Sequence, residues 1–280
     1  MNILLHGINI SAQFQTCILQ LIQAFEEKGS NVKLTKNLFN SFRKKGGLSP
    51  IVTPLNSKND LAGIDVVISI GGDGTLLDTI SLIGAYEIPV LGINTGRMGF
   101  LATIAKEDIK AAVKDLLEGH YALEDRSLVR LESSVPLFKG LNFGLNEFTI
   151  HKRDTSSMIT VHTYIGIIVS TPTGSTGYSL SCGGPLISPL AKNFVITPVS
   201  PHNLNVRPIV VSDDSEISFK IEGRSEKFLV SLDSRSAPID ASVELKVKKE
   251  LFVAKLVKFH NYSFFDTLRQ KLNWGYDMRN

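Results

Sequence analysis

Along roughly the first 120 residues, short apolar runs alternate with segments whose apolar positions recur at helical spacing. Residues 3–8 form an apolar run that reads as a strand. Phe14, Ile18, Leu21, Ile22 and Phe25 then fall on one helix face, with Gly29 as the stop. A short run at 32–34, a weaker helix over 38–45 and a strand at 64–70 follow. The last of these, Ile-Asp-Val-Val-Ile-Ser-Ile, is apolar enough to be covered on both faces. After the glycines beyond it the pattern predicts a helix to residue 85 and a strand at 88–93. Ile109, Val113, Leu116 and Leu117 mark a further helix ended by Gly119. Such βαβ alternation predicts an α/β domain built on a parallel sheet.

From Ser127 the rhythm changes. Leu128-Val129-Arg130-Leu131 and the segments 143–150, 216–221, 228–232 and 243–247 are short, and several alternate apolar with polar residues, the period of a strand. Prolines 185, 189, 198, 201 and 208 punctuate this half, as where strands reverse through tight connections. It reads as all-β. Near the end, Phe264 or Phe265, Leu268 and Leu272 return to helical spacing, so a last helix is predicted. Neither an internal repeat nor a low-complexity tract is visible.

Composition narrows the class. With 280 residues, 43% apolar and 20% charged, the chain can bury sizeable cores, and two domains are expected. No run approaches the roughly 18 apolar residues of a membrane span, and residues 1–10 lack a basic leader with a small-residue cleavage site. Cys17 and Cys182 are the only cysteines, so a disulfide scaffold is not expected, and the chain is assigned to the cytoplasm. A net charge of +3 is too small to indicate a nucleic-acid partner, none is expected, and the basic runs 43–45 and 246–249, without a flanking aromatic platform, read as solvated faces.

The sharpest chemical signal is Ile70-Gly71-Gly72-Asp73-Gly74-Thr75, where a buried strand gives way to a helix. Ligands bind at this carboxyl edge of open α/β sheets, and glycines let phosphates approach the backbone while the helix N-terminus favours an anion. Asp73 is then an anomaly, because a carboxylate repels phosphate. It makes sense as a base for an attacking hydroxyl or as a metal ligand; the structural alternative is a helix N-cap. A second turn, Gly92-Ile93-Asn94-Thr95-Gly96-Arg97-Met98-Gly99-Phe100, follows the next strand. It lacks dehydrogenase glycine spacing, the chain has no P-loop signature, and the turn alone is compatible with a tight loop.

In the β half, Phe143 and Leu145 lie in one alternation phase and Phe148 and Ile150 in the other. The slip at Asn146-Glu147 reads as a bulge, a feature found beside active sites, and an Asn-Glu pair suits ribose hydroxyls, with the Glu also able to favour a cation. An exposed edge turn is the alternative. Residues 170–185, Ser-Thr-Pro-Thr-Gly-Ser-Thr-Gly-Tyr-Ser-Leu-Ser-Cys-Gly-Gly-Pro, supply dense amides and hydroxyls for a sugar-phosphate or base edge, the alternative being a linker. The six histidines and two cysteines show no zinc spacing.

Taken together and in order, 71–75, 94–101, Asn146-Glu147, 171–185, 197–204 and Arg207-Pro208 resemble the NAD kinase family. Gly-Gly-Asp-Gly-Thr alone occurs also in lipid and sugar kinases. The resemblance implies phosphoryl transfer from ATP or another donor to the 2′-hydroxyl of the adenosine ribose of NAD, with a divalent metal ion, Mg2+, and a homodimer or homotetramer. It implies Asp73 as the base. Gly71, Gly72 and Thr75 would bind the ATP phosphates. Gly74, Phe100, Asn146, Glu147, Thr173, Thr176, Gly177 and Tyr178 would bind NAD, and Glu147 is the one candidate metal contact. Its fold would be a Rossmann-like α/β domain over 1–125, a β-sandwich-like domain over 126–261, and a helix over 262–280 packing back on the first. A lipid or sugar kinase and a non-catalytic dinucleotide sensor are the rival functions. Two departures stand out: Ile165 occupies an expected acidic position in a shortened segment, and Leu232-Asp233-Ser234-Arg235 replaces a common Asp-Gly-Gln, its role open.

Overall fold

A computed structural model describes residues 1–8, 12–43, 48–96, 99–152, 166–200, 205–221, 227–259 and 263–275. The expectations at Arg97-Met98, Ile165, 201–204 and the basic residues 44–45 lie outside these. The chain divides into two compact units, Met1–Asp125 with Ala254–Asn280, and Arg126–Val253.

The first unit opens with β1 (Asn2–Gly7), α1 (Ala12–Glu27), β2 (Asn31–Thr35), α2 (Lys36–Arg43) and β3 (Thr53–Leu55). It continues with β4 (Val66–Gly71), α3 (Asp73–Ile83), β5 (Val90–Asn94), α4 (Ile109–Glu118) and β6 (Ala122–Arg126). The helical face expected in α1 is the buried one: Phe14, Ile18, Leu21, Ile22 and Phe25 all enter the core. β4 is buried at every position, as an unbroken apolar run covered on both sides must be. β1 to β5 pair in parallel in the order β3-β2-β1-β4-β5. α4 ends on Gly119 in the left-handed conformation, the stop its sequence announces.

The second unit holds β7 (Val129–Ser133), β8 (Phe143–Gly144), β9 (Glu147–Lys152), β10 (Gly166–Ser170), α5 (Tyr178–Ser181), β11 (Asn193–Val199) and β12 (Ile209–Ser212). β13 (Ile217–Phe219), β14 (Phe228–Leu232), β15 (Arg235–Ile239) and β16 (Leu245–Lys249) complete it. Six strands run in the order β12-β11-β10-β9-β14-β15 and four in the order β13-β16-β7-β8. One core takes Phe148, Val169, Phe194 and Val230 from the larger sheet and Val129, Leu131, Leu245 and Val247 from the smaller, which is sandwich packing. Pro198, read as punctuation, lies inside β11. It pairs with Ile167 at a level where β12, paired only with Asn193 to Ile196, no longer requires a donor from it.

Two expectations differ from what is observed. The second domain does not run to residue 261: β17 (Ala254–Lys258) joins β5 in parallel and, with β6, completes the seven-stranded sheet of the first unit. Its apolar residues Leu256 and Val257 are buried there. The last helix, α6 (Phe264–Leu272), is capped by Ser263 and belongs to the first unit, where Lys271 Nζ lies 4.6 Å from the Phe100 ring centroid. The slip at 145–147 is likewise no bulge in one ladder. β8 pairs with β7 in the smaller sheet while β9 pairs with β10 and β14 in the larger, so the phase changes because the chain changes sheets.

Candidate functional site

In the first unit, β4 ends at Gly71, Gly72 is the N-cap of α3, and Asp73 is the first helical residue. A side chain at Gly71 would run into Thr75, whose Oγ1 would lie 2.2 Å from the added carbon, so this glycine seats the turn. Gly72 and Gly74 instead face open space and are exposed. The first amides of α3 have no acceptor within the helix, and this is the surface they present. The next strand's turn is latched alongside: Thr95 N donates to Gly71 O at 3.3 Å. Asn94 accepts from Gly96 N at 2.6 Å and donates to Ala102 O at 3.2 Å.

Asp73 does not cap its own helix. Its Oδ2 accepts from Phe100 N at 2.8 Å, and its Oδ1 accepts from Leu101 N at 3.1 Å and Ala102 N at 3.0 Å. Gly99 makes this approach feasible, since a methyl there would sit 1.8 Å from Asp73 Oδ1. The two glycine turns are thus joined through one carboxylate. A carboxylate oxygen offers two lone pairs, so Oδ1 is saturated and Oδ2 retains one for a further hydrogen. Behind the turn, Thr79 Oγ1 donates to Ser69 Oγ at 2.9 Å, tying the helix to β4 in a fully buried contact.

The second unit gathers the other candidates. Thr171 N donates to Asn146 O at 2.9 Å, and Thr171 Oγ1 donates to Leu145 O at 2.6 Å. Gly174 comes so close that a methyl on it would lie 2.2 Å from Asn146 O. Gly177 lies over the pair, its hypothetical methyl 3.2 Å from Glu147 Oε2 and 3.6 Å from Asn146 Nδ2. Asn146, Glu147, Gly174, Gly177 and Tyr178 therefore form one cluster, with Tyr178 exposed and its ring 5.6 Å from that of His151. Several hydroxyls of 170–185 serve the fold: Ser175 bonds Pro172 O and takes Ile187 N, and Ser179 pairs with Thr197. Thr173 Oγ1 accepts from the buried Arg126 at 3.2 Å, and Thr176 Oγ1 donates to Thr173 O at 3.2 Å.

Asn146 Oδ1 and Glu147 Oε2 are buried without a hydrogen-bond partner. Burial pushes the Glu147 carboxyl up to about 8, the charge of Asp233 adds to the rise, and the Tyr178 backbone amide pulls the other way. Buried oxygens that the fold itself does not satisfy are suited to accept hydroxyl or amine hydrogens. A resident metal finds less support. Among the described residues the only group of three ligand side chains is Asp115, Glu118 and His120, at the C-terminal end of α4. Glu118 lines a groove with Met1, which precedes β1 and so lies at the opposite sheet edge from Gly71. Glu147 belongs to no such group.

Four residues that touch these candidates were given no role from sequence: Arg126 and His151 were not singled out, Thr171 stood only inside the 171–185 match, and Asp233 only as a departure of open role. Asp233 Oδ2 accepts from Leu145 N at 2.8 Å, and its Oδ1 accepts from Asn146 N at 2.8 Å and Glu147 N at 3.1 Å. The available signal was its place in a two-residue hairpin between β14 and β15, where it holds a φ of 50°.

An open glycine turn at the carboxyl edge of a parallel sheet, in a chain whose β unit buries an acid-amide pair, is the architecture of a nucleotide-handling protein, and the relatives make its class a phosphotransferase. Residues 23–121 match the ATP-NAD kinase N-terminal domain and residues 145–259 the ATP-NAD kinase C-terminal domain. An NAD kinase of Cytophaga hutchinsonii is 54% identical over 244 residues, covering 83% of this chain and 84% of that protein. One of Flavobacterium johnsoniae is 40% identical with 100% of both covered. Among solved structures, yeast NADH kinase complexed with NADH has a TM-score of 0.88 at 20% identity, covering 100% of this chain and 89% of that one. An NAD kinase from Archaeoglobus fulgidus in complex with ATP has a TM-score of 0.72 at 26% identity, with 98% and 99% covered. The chain belongs to the ATP-NAD kinase family.

Proposed function

We propose that the chain transfers the terminal phosphoryl group of ATP to the 2′-hydroxyl of the adenosine ribose of NAD, forming NADP. The observation that carries this reading is the state of Asp73: held by three backbone amides beside an exposed glycine turn, with one lone pair of Oδ2 left to accept a proton. The 2′-hydroxyl attacks phosphorus as its proton passes to Asp73 Oδ2, the P–O bond to ADP breaks, and ADP leaves with the bonding pair. The amides at the start of α3, opened by Gly72 and Gly74 and braced by Gly71 and Thr75, hold the donor's phosphates.

Asn146 Oδ1 and Glu147 Oε2 receive hydroxyl or amine hydrogens of the dinucleotide, with Thr173, Thr176, Gly177 and Tyr178 of the same unit as further contacts, and the family resemblance assigns Gly74 and Phe100 of the first unit to it as well. The relatives named NAD kinase support the acceptor, and the Archaeoglobus relative solved with ATP supports the donor. The divalent ion, Mg2+, enters with the triphosphate as part of that substrate, because Mg2+ keeps several waters and binds phosphate oxygens without a protein cage. The reading carries with it a cytoplasmic homodimer or homotetramer. Among the described residues no helix is long and apolar enough to cross a membrane.

Purified protein incubated with ATP, Mg2+ and NAD tests the reading, the product being detected with an NADP-specific dehydrogenase. NADP accumulating in step with ADP is the expected result. Label transferred to diacylglycerol, a sphingoid base or a sugar instead would overturn the acceptor, and tight NAD binding without turnover would make the chain a sensor.

A further inference from the structure

Asn146 and Glu147 sit where the chain leaves one sheet for the other, so no ladder fixes the backbone of residues 145 and 146. Thr171 holds the carbonyls of Leu145 and Asn146, and the hairpin turn opposite holds the amides. Asp233 gathers the three successive amides of Leu145, Asn146 and Glu147, and returns its own N–H to Glu147 O at 3.1 Å. Two residues on, the Arg235 guanidinium donates to Leu141 O and Phe143 O and lies over the Phe143 ring, 5.7 Å from its centroid. The turn thus holds the crossing from both sides: the acid takes the amides after β8, and the guanidinium takes carbonyls at and before it. Charged partners make these the stronger kind of hydrogen bond. Holding Asp233 at positive φ is a local cost tolerated where the surroundings over-determine it. Gly144 completes the seat, since a methyl there would come 3.0 Å from Asp233 Oδ1.

We propose that Asp233 and Arg235 are positioning residues of the dinucleotide site, whose shared task is to aim the Asn146 and Glu147 side chains at the acceptor. The proposal rests on the NAD-kinase reading. It explains why an Asp survives in the departure Leu232-Asp233-Ser234-Arg235: the carboxylate is the part that the Asn-Glu backbone requires. It also gives Arg235 a different duty from a ligand contact, because its guanidinium is turned to the backbone of 141 and 143.

Asp233→Asn tests it, with Asp213→Asn as a control for general loss of stability. Asp213 is buried in the same unit, where it pairs with Lys249 at 2.6 Å, and it has no part in the site. In Asp233→Asn, the KM for NAD should rise at least ~10-fold while kcat and the KM for ATP change by less than ~3-fold, the scale of losing a charged hydrogen-bond acceptor. Amide exchange at 145–147 should quicken by at least ~10-fold while that of 148–150 in β9 stays slow. Asp213→Asn should lower the melting temperature and leave the KM for NAD in place. If Asp233→Asn does not fold, Arg235→Gln removes the carbonyl side of the same clamp and should raise the KM for NAD by ~3-fold or more. Unchanged exchange at 145–147, or a KM shift no larger than in Asp213→Asn, overturns the proposal. So does an Arg235→Gln protein with wild-type KM for NAD. A wild-type protein that makes no NADP defeats the kinase reading, and amide exchange then still decides whether the clamp exists.

Discussion

Glu147 offers the most quantitative test of the site, through its effect on stability. Its carboxyl is buried, one oxygen has no partner, and Asp233 adds like charge, which together raise it from 4.5 to about 8. A folded value above the unfolded one means that the fold favours the protonated form. The resulting stability is fully present below about pH 4.5 and is lost as the pH rises through about 8. A shift of this size corresponds to an upper bound of ~5 kcal/mol, and residual solvation of the site brings a working figure to ~2–5 kcal/mol. Glu147→Gln keeps shape and hydrogen-bonding capacity but never ionises. The two proteins should therefore melt together near pH 5, and by pH 9 the variant should melt higher by roughly 5–15 °C, the scale for a domain of this size.

Differential scanning calorimetry of both proteins across pH 5 to 9 makes the comparison. Burial lowers His6 and His151, and both contribute a pH dependence of the opposite sign, but they do so equally in the two proteins and cancel in the difference. A difference in melting temperature that stays constant across this range would refute the reasoning, because it would mean that Glu147 is ionised in the fold with no penalty. The same experiment with NAD added should reduce the gap at high pH, since a ligand donating hydrogens to Glu147 Oε2 stabilises its anion.

Gly174→Ala should weaken NAD binding at least ~10-fold and cost ~1–3 kcal/mol in urea unfolding, because the added methyl meets at 2.2 Å the backbone oxygen of Asn146, which Thr171 N holds. Thr79→Val should cost ~1–3 kcal/mol of stability by leaving the buried Ser69 hydroxyl without its donor, and should leave the KM for NAD unchanged.

Much of the first unit was legible in the chain, because its strands and helices carry their own periodicity. The faces of α1 and α4, the two-sided burial of β4 and the stop at Gly119 follow from local spacing. What could not be read was long-range. β17 is a short apolar run like those of the second unit, and only its pairing with β5, more than 150 residues earlier in the chain, assigns it to the first sheet. The phase slip at Asn146-Glu147 was visible, yet a bulge and a change of sheet produce the same slip in sequence. The glycine turn and the residues of 170–185 announced themselves by composition. Which hydroxyls face a ligand and which are spent on the fold, as Ser175 and Ser179 are, depends on partners that spacing does not reveal. Asp73 and Asp233 both drew notice in the chain, but that each collects three amides could not be read there, because those amides lie dozens of residues away.

The central claim is that Asp73 takes the proton of the attacking hydroxyl while the amides of 100–102 hold it in place. It is tested most directly by the rate of NADP formation by Asp73→Asn at saturating NAD and ATP. The amide oxygen can still accept from Leu101 and Ala102, whereas the amide nitrogen takes up neither the Phe100 N–H nor a proton, so the rate should fall by ~10²–10⁴-fold with NAD affinity within a few-fold of wild type. A variant that folds, binds NAD and turns over within about threefold of the wild-type rate would contradict the claim.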